Sequence, residues 1–530
     1  MFRKKTLYRN SIKSTLINVL YLNLCTVIIL TVSLGRLNAQ NVANLNYEFQ
    51  NGVKPRNVIF ILSDDHRYDF MGFTGKVPGL QTPNLDRLGN EGANFQNAFV
   101  TTSLCSPSRA SILTGQYAHT HTVVDNEAPA PSNLIYFPQY LQKADYQTAF
   151  FGKWHMGGAN DDPRPGFDHW VSFRGQGVYY NPLLNIDGKH VQYKDSSYIT
   201  DVLTDLTLEW LKKLDKNKPF FVYLSHKAVH AEFMPARRDK GKYKNIEIQY
   251  PVSMFATATP TSKKFTKGKK ADGSAYTFNN KDIPQWVRDQ RYSFHGVDFM
   301  YHGRTDFDQF YQDYLETLLG IDNSIGRVLN YLKENDLDKE TLVIYMGDNG
   351  FAFGEHGLID KRTAFEESMR IPLLARCPAL IKPQTKIKQM VLNVDIAPSI
   401  LEMAGIKKPL QMQGSSFLPL IHGKPANWRD KIFYEYYWEF PFPVTPTQFA
   451  VRTDQYKFIR SQGIWDIDQL YDIQKDPYEV NNLIRIPQYQ ETAKKLNTEL
   501  WDWLGQTQGL FIPLKPIKGK RIDHLYKGTW

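Results

Sequence analysis

The chain has 530 residues, 42% of them hydrophobic and 22% charged, which excludes disorder, collagen and coiled coil as whole-chain readings. Its formal charge is +10, but Arg3, Lys4, Lys5, Arg9, Lys13 and Arg36 lie in residues 1–39 with no acid among them, so the remainder carries only +4. A mildly basic body removes most of the case for nucleic-acid binding, and the length suits a large domain with one or two smaller ones.

At the N-terminus the basic stretch to Lys13 is followed by an apolar run, Leu16 to Leu34, and Ala39 offers a small residue before Gln40. This is the layout of a secretory signal peptide over 1–39. It predicts an exported protein, periplasmic or secreted, with no stable membrane span after cleavage; an uncleaved anchor is the alternative. Of the three cysteines, Cys25 leaves with the signal, while Cys105 and Cys377 remain and could in principle form a bridge.

Further along, short apolar runs end in polar clusters. Val58 to Leu62 leads into Ser63-Asp64-Asp65, and Thr148 to Phe151 into Gly152-Lys153-Trp154-His155. Phe220 to Leu224 leads into Ser225-His226 and then His230, and Leu342 to Met346 into Gly347-Asp348-Asn349. Such runs read as strands buried on both faces. Between them lie helical patterns, notably Asp306 to Leu332, and Thr82-Pro83 marks a helix start. The fold class is therefore α/β, with a mostly parallel central sheet flanked by helices. Ligands of such sheets bind beyond the carboxyl ends of the strands, where these runs deliver Asp, Lys, His and Asn.

The predicted organisation is a catalytic domain over 55–423 with an insertion at about 236–302, a smaller α+β subdomain over 424–512 built on an antiparallel sheet, and a basic tail over 513–530. The insertion carries basic clusters and reads either as a functional loop or as a solvated one. Aromatic residues make up 14% of the chain, which suits stacking on sugar rings and the filling of a large core alike.

The stretch Cys105-Ser106-Pro107-Ser108-Arg109-Ala110-Ser111-Ile112-Leu113-Thr114-Gly115 is the most informative. Cys105 precedes a Pro and a helix that Ser108 to Leu113 can form, and a helix N-terminus stabilises negative charge. Arg109, one turn along, can hold a nucleophile's oxygen or a tetrahedral anion. A thiolate nucleophile and a buried structural cysteine are both open on these residues alone.

The same stretch matches throughout the signature Cys-x-Pro-Ser-Arg-x-x-x-Leu-Thr-Gly, and here the sequence resembles the type I sulfatases of the alkaline phosphatase superfamily. Asp64-Asp65, Gly152 to His155, Asp348-Asn349-Gly350 and Asp360-Lys361 resemble that family's other blocks. The segment Gln116 to Asn126 resembles N-acetylglucosamine-6-sulfatase-like members, which in turn resemble sulfatases of algal polysaccharides such as ulvan.

The resemblance implies a sulfuric ester hydrolase acting on a sulfated polysaccharide or oligosaccharide, of glycosaminoglycan, mucin or algal type. It implies that Cys105 becomes formylglycine through a maturation enzyme, and that Asp64, Asp65, Asp348, Asn349 and the modified Cys105 bind Ca²⁺. It assigns Arg109, Lys153 and Lys361 to the sulfate, His155 to the nucleophile and His230 to the leaving alcohol, although the family's Ala-Pro-His reads Ala228-Val229-His230 here. His119, His121, His226, Arg291, His295 and His302 are weaker candidates for sugar contact. A phosphonate or phosphodiester hydrolase of the same superfamily and an inactive sulfoglycan-binding protein are the alternatives.

Overall fold

The apolar runs become adjacent strands, because a segment hydrophobic on both faces is stable only where neighbours cover both. The computed structural model describes residues 45–156, 160–258, 282–301, 306–423 and 427–511. The expected signal at 1–39, His302, much of the insertion and the basic tail at 513–530 lie outside the described residues. Two compact units divide the chain, Met1–Glu48 and Phe49–Trp530, and the elements below belong to the second.

In chain order the first strands are β1 (Asn57–Ser63), β2 (Ala93–Phe99), β3 (Gln147–Gly152), β4 (His169–Ser172), β5 (Leu183–Ile186), β6 (Lys189–Gln192), β7 (Phe220–Ser225) and β8 (Thr341–Gly347). They continue with β9 (Ala352–Phe353), β10 (Ile359–Asp360), β11 (Leu373–Arg376) and β12 (Thr385–Leu392). Ten of them form one sheet in the order β12-β2-β11-β8-β1-β7-β3-β4-β5-β6. The run β8-β1-β7-β3-β4 is parallel throughout, and β11 and β5 oppose their neighbours. The four strands read from the sequence are thus the parallel centre of the sheet, with Ser63 level with Gly347 and Gly152 level with Ser225. Their polar followers emerge along one edge.

A long helix, Phe307–Glu334, is capped by Asp306, whose carboxylate accepts from the amides of Asp308 and Gln309. Its buried stripe of Phe310, Tyr314, Leu318, Ile321 and Ile325 belongs to the core that also holds Ile59 and Ile61. Burial of each such aliphatic side chain contributes ~1.5–3 kcal/mol. A charge at Ile321 would therefore detach the helix from the sheet.

A second sheet contains β13 (Lys431–Tyr436), β14 (Thr447–Thr453), β15 (Tyr456–Gln462) and β16 (Gln469–Asp472), antiparallel in consecutive order. Helix Gln490–Gln506 buries Leu496, Leu500, Trp503 and Leu504, and Trp503 stacks on Phe433 of β13 at 4.6 Å between ring centroids. No described helix is long and apolar enough to cross a membrane. Cys105 and Cys377 are both free and buried, so the bridge considered from the sequence is not formed.

Candidate active site

Three strand ends and two loops build the site. Beyond β1, Asp64 and Asp65 are fully buried, and Asp65 takes a left-handed backbone at φ 55°. Tyr314 of the long helix donates to the Asp65 carbonyl at 2.9 Å, which holds that turn. Beyond β8, Asp348 accepts from the Asp65 amide at 3.0 Å, and Asn349 Nδ2 donates to Asp65 Oδ1 at 2.7 Å. Oxygens of Asp64, Asp65 and Asp348 lie within 4.8 Å of one another.

Beyond β3, Gly152 sits at φ 117°, and a Cβ there would stand 1.8 Å from the Ser225 carbonyl oxygen. Only glycine lets β3 approach the end of β7 this closely. Lys153 is delivered by that approach, its amide donating to Ser225 O at 2.8 Å and its ammonium bonding Asp64. His155, at φ 52°, sets its ring beside Ser106, with Nδ1 3.5 Å from the hydroxyl.

Cys105 opens helix Cys105–Thr114, so its side chain stands at the positive end of the helix. Its sulfur lies 3.4 Å from Asp64 Oδ1. Arg109, one turn on and 1% exposed, reaches Asp348 at 2.8–2.9 Å and Asp64 at 3.4 Å. Its other arm donates to Lys153 O and Ser225 Oγ, both at 2.7 Å. Gly115, at φ 67°, ends the helix as its left-handed cap. From the other side, Lys361 bonds both Asp65 oxygens at 2.5 and 2.6 Å, and the residues flanking it, Asp360 and Arg362, have positive φ. His230 Nε2 stands 4.0 Å from Asp65 Oδ2.

Burial pushes the Asp65 carboxyl up to about 7, Lys361 opposing and Asp64 and Asp348 adding to it. Asp348 is raised by burial and by Asp64. Burial would raise Asp64, but the Lys153 and Arg109 charges outweigh it and hold this carboxyl well below the usual carboxylate range. Burial and the Lys153 charge push His155 and His230 well down, so both rings are neutral in the resting site. Burial and then Asp64 push the Cys105 thiol up, which keeps it protonated.

Beside this carboxylate cluster the Asn349 Oδ1 atom is buried with no hydrogen-bond partner. An all-oxygen donor set of this kind suits a hard divalent cation such as Ca²⁺.

The weaker sugar-contact candidates among the described residues each meet a protein partner. His119 bonds Glu435 Oε2 at 2.7 Å, His121 faces Ser111 Oγ at 3.0 Å and His226 faces Ser324 Oγ at 3.1 Å. Arg291, wholly buried, pairs with Asp298 at 2.9 Å and donates to Met254 O and Thr257 Oγ1. His295 lies 3.2 Å from Asp360. Two residues of the site were not read from the sequence. Ser225 bridges Arg109 and Lys153, and Lys227 is buried beside them at 4% exposure. A lysine just past a strand reads as a solvated group, and only its burial distinguishes it.

The Sulfatase family model matches residues 56–406, and that of the N-sulphoglucosamine sulphohydrolase C-terminal region matches 354–506. The N-acetylglucosamine-6-O-sulfatase of Bacteroides thetaiotaomicron is 34% identical, over 94% of this chain and 93% of its own. The ulvan-active sulfatase of Formosa agariphila is 26% identical, over 89% of this chain and 85% of its own. A solved structure of a protein in complex with its substrate D-glucosamine-2-N,6-O-disulfate is 33% identical, with a TM-score of 0.73, covering 86% of this chain and 99% of that one.

Proposed function

This chain belongs to the sulfatase family and hydrolyses sulfuric esters, and we propose that its substrate is a sulfated carbohydrate of glycosaminoglycan type bearing a 6-O-sulfated glucosamine. The observation that carries the reading is the convergence of Cys105, three carboxylates and the Arg109, Lys153 and Lys361 cations on one sheet edge. The kinship with the N-acetylglucosamine-6-O-sulfatase and with the protein solved with a 6-O-sulfated glucosamine supports the choice of sugar. The ulvan-active relative supports algal polysaccharide as the second reading.

In this reading Cys105 is converted by a maturation enzyme to formylglycine, whose hydrate supplies the hydroxyl nucleophile that a buried, protonated thiol does not. Asp64, Asp65, Asp348 and Asn349 would hold Ca²⁺, which would supply positive charge to the anionic ester. Arg109, Lys153 and Lys361 complete that neutralisation, the dominant requirement when charge develops on oxygen. His155 orients the nucleophile from the Ser106 side. His230 protonates the leaving oxygen; neutral at rest, its ring takes a proton from solvent as the anionic ester brings negative charge next to it and passes that proton to the departing alkoxide. Residues 1–39 direct export and are removed.

Sulfate release from a panel of defined saccharides tests the proposal. Glucosamine 6-O-sulfates should be cleaved in preference to ulvan oligosaccharides and to matched phosphate esters. Cleavage of ulvan alone would replace the proposed sugar, and faster cleavage of the phosphates would overturn the sulfate preference. Peptide mass spectrometry should find formylglycine at position 105; full activity with an unmodified cysteine would sink the mechanism.

A further inference from the structure

We propose that Lys227 is a further substrate-contacting residue, which binds the anionic sulfuryl group of the ester beside Cys105. The inference rests on the sulfatase reading above and adds a residue to that site. Lysine is almost never buried without a partner. Among the described residues each other lysine or arginine at this edge has a carboxylate: Lys153 has Asp64, Lys361 has Asp65, and Arg109 has Asp348 and Asp64. Lys227 is equally buried, at 4% exposure, yet among the described residues its ammonium meets the face of the Tyr179 ring, with Nζ 4.7 Å from the centroid, and pairs with no carboxylate. An aromatic face offsets part of the desolvation of an ammonium but supplies no counter-charge. The site's own carboxylates are already held by other cations, so the missing anion must come from outside.

The placement fits that role. The loop after β7 continues alongside β1, with His226 N donating to Leu62 O at 2.8 Å, Asp64 N to Ala228 O at 2.9 Å and Val229 N to Asp64 O at 2.7 Å. On the other flank, Lys153 N donates to Ser225 O at 2.8 Å. Lys227 therefore stands between the strand ends that carry Asp64 and Lys153. Tyr179, beneath its ammonium, donates to the His230 carbonyl at 2.6 Å, so the same ring braces the proposed proton donor. Burial and Lys153 lower Lys227 to about 8 while Asp64, Asp65 and Cys105 pull it back, which places its charge in the field of the reacting group.

Lys227→Met keeps the length of the stem and removes the charge. For a residue that packs for stability, this change should lower the melting temperature. For an unpaired buried cation kept to bind an anion, it should leave melting unchanged or raise it while function falls. The assay uses a nitrophenyl sulfate ester, with inorganic sulfate as competing anion, on mature protein loaded with Ca²⁺. We expect kcat/KM to fall about 10- to 100-fold and the inhibition constant for sulfate to rise by a similar factor. Lys227→Arg should recover part of both. Unchanged kcat/KM and unchanged sulfate inhibition in Lys227→Met would overturn the proposal. So would a loss of activity accompanied by a lowered melting temperature, with sulfate affinity intact. If the wild-type protein cleaves the aryl ester but no glucosamine sulfate, the sugar assignment fails while the Lys227 comparison stands. If it cleaves no ester at all, calorimetric titration with sulfate decides, and equal affinity in wild type and Lys227→Met overturns the inference.

Discussion

Asp348 shows how closely chemistry and fold are joined in single residues. Its carboxylate accepts from Arg109 Nε at 2.9 Å and from the Asp65 amide at 3.0 Å, and pairs with Arg109 Nη2 at 2.8 Å. Asp348→Ala should abolish activity and lower the melting temperature, because it removes a proposed cation ligand and leaves the Arg109 guanidinium short of its main partner. Breaking a buried pair in this way costs ~3–5 kcal/mol, and calorimetry beside a sulfate-release assay checks both arms. An inactive variant that melted like wild type would confine Asp348 to chemistry. Arg291 gives a contrasting case, since its guanidinium is wholly buried on Asp298, Met254 and Thr257. Arg291→Ala should therefore lower activity on an aryl sulfate and on an oligosaccharide by the same factor, through stability. A loss confined to the oligosaccharide, measured as separate kcat/KM ratios, would return Arg291 to sugar recognition.

Among the elements, helix Cys105–Thr114 and the short helix Ala118–His121 after it tie Cys105 to the second sheet. His119 bonds Glu435 of β13 through both its ring and its amide, at 2.7 and 3.0 Å, and its ring packs edge-on to Trp503. His119→Ala would take one of its partners from a fully buried carboxylate, which keeps the amide of residue 119 and the Tyr437 hydroxyl, at a cost of ~1–3 kcal/mol. The expected result is a lower melting temperature with an unchanged KM in the surviving folded fraction. A raised KM at unchanged melting temperature would instead place His119 in the substrate path. The strand elements differed in how visible they were. β1 and β8 are apolar along almost their whole length and stood out, whereas β2 (Ala93–Phe99) and β12 (Thr385–Leu392) mix polar residues into half-buried positions. Alternation of that kind on an outer strand is hard to tell from a loop.

Across the whole molecule, a buried ion network joins the second sheet to the segment that follows Lys361. Lys457 of β15 is wholly buried and bonds Glu366 at 3.0 Å and Glu479 at 2.7 Å. Burial pushes Glu479 up to about 7, against the pull of Lys457 and with the help of Glu366. In the unfolded chain the same group titrates near 4.5, so between 4.5 and about 7 the folded state binds more protons. This group's contribution to stability is thus fully present below that window and is lost as pH rises through it. Glu479→Gln should flatten the decline. Denaturant midpoints at pH 5, 6 and 7 for both proteins check the sign, and equal slopes would show that Glu479 does not titrate there.

The sequence by itself determined the central parallel strands, the long helix and the Cys105 segment, because each is encoded locally, by an unbroken apolar run, a helical stripe or a contiguous motif. It also pointed to the acids, lysines and histidines that follow those strands, since chain direction in a parallel sheet puts all such followers on one edge. What only the tertiary structure decided is which of these groups meet. Lys361 reaches Asp65 across 296 positions and Arg109 reaches Asp348 across 239, separations at which no local pattern carries information. Tertiary packing also turned His119, His121, His226 and Arg291 inward to protein partners and left Lys227 buried with no carboxylate paired to it among the described residues. Burial and pairing arise only when distant strands close on one another, and they alone separate a solvated lysine from a working one.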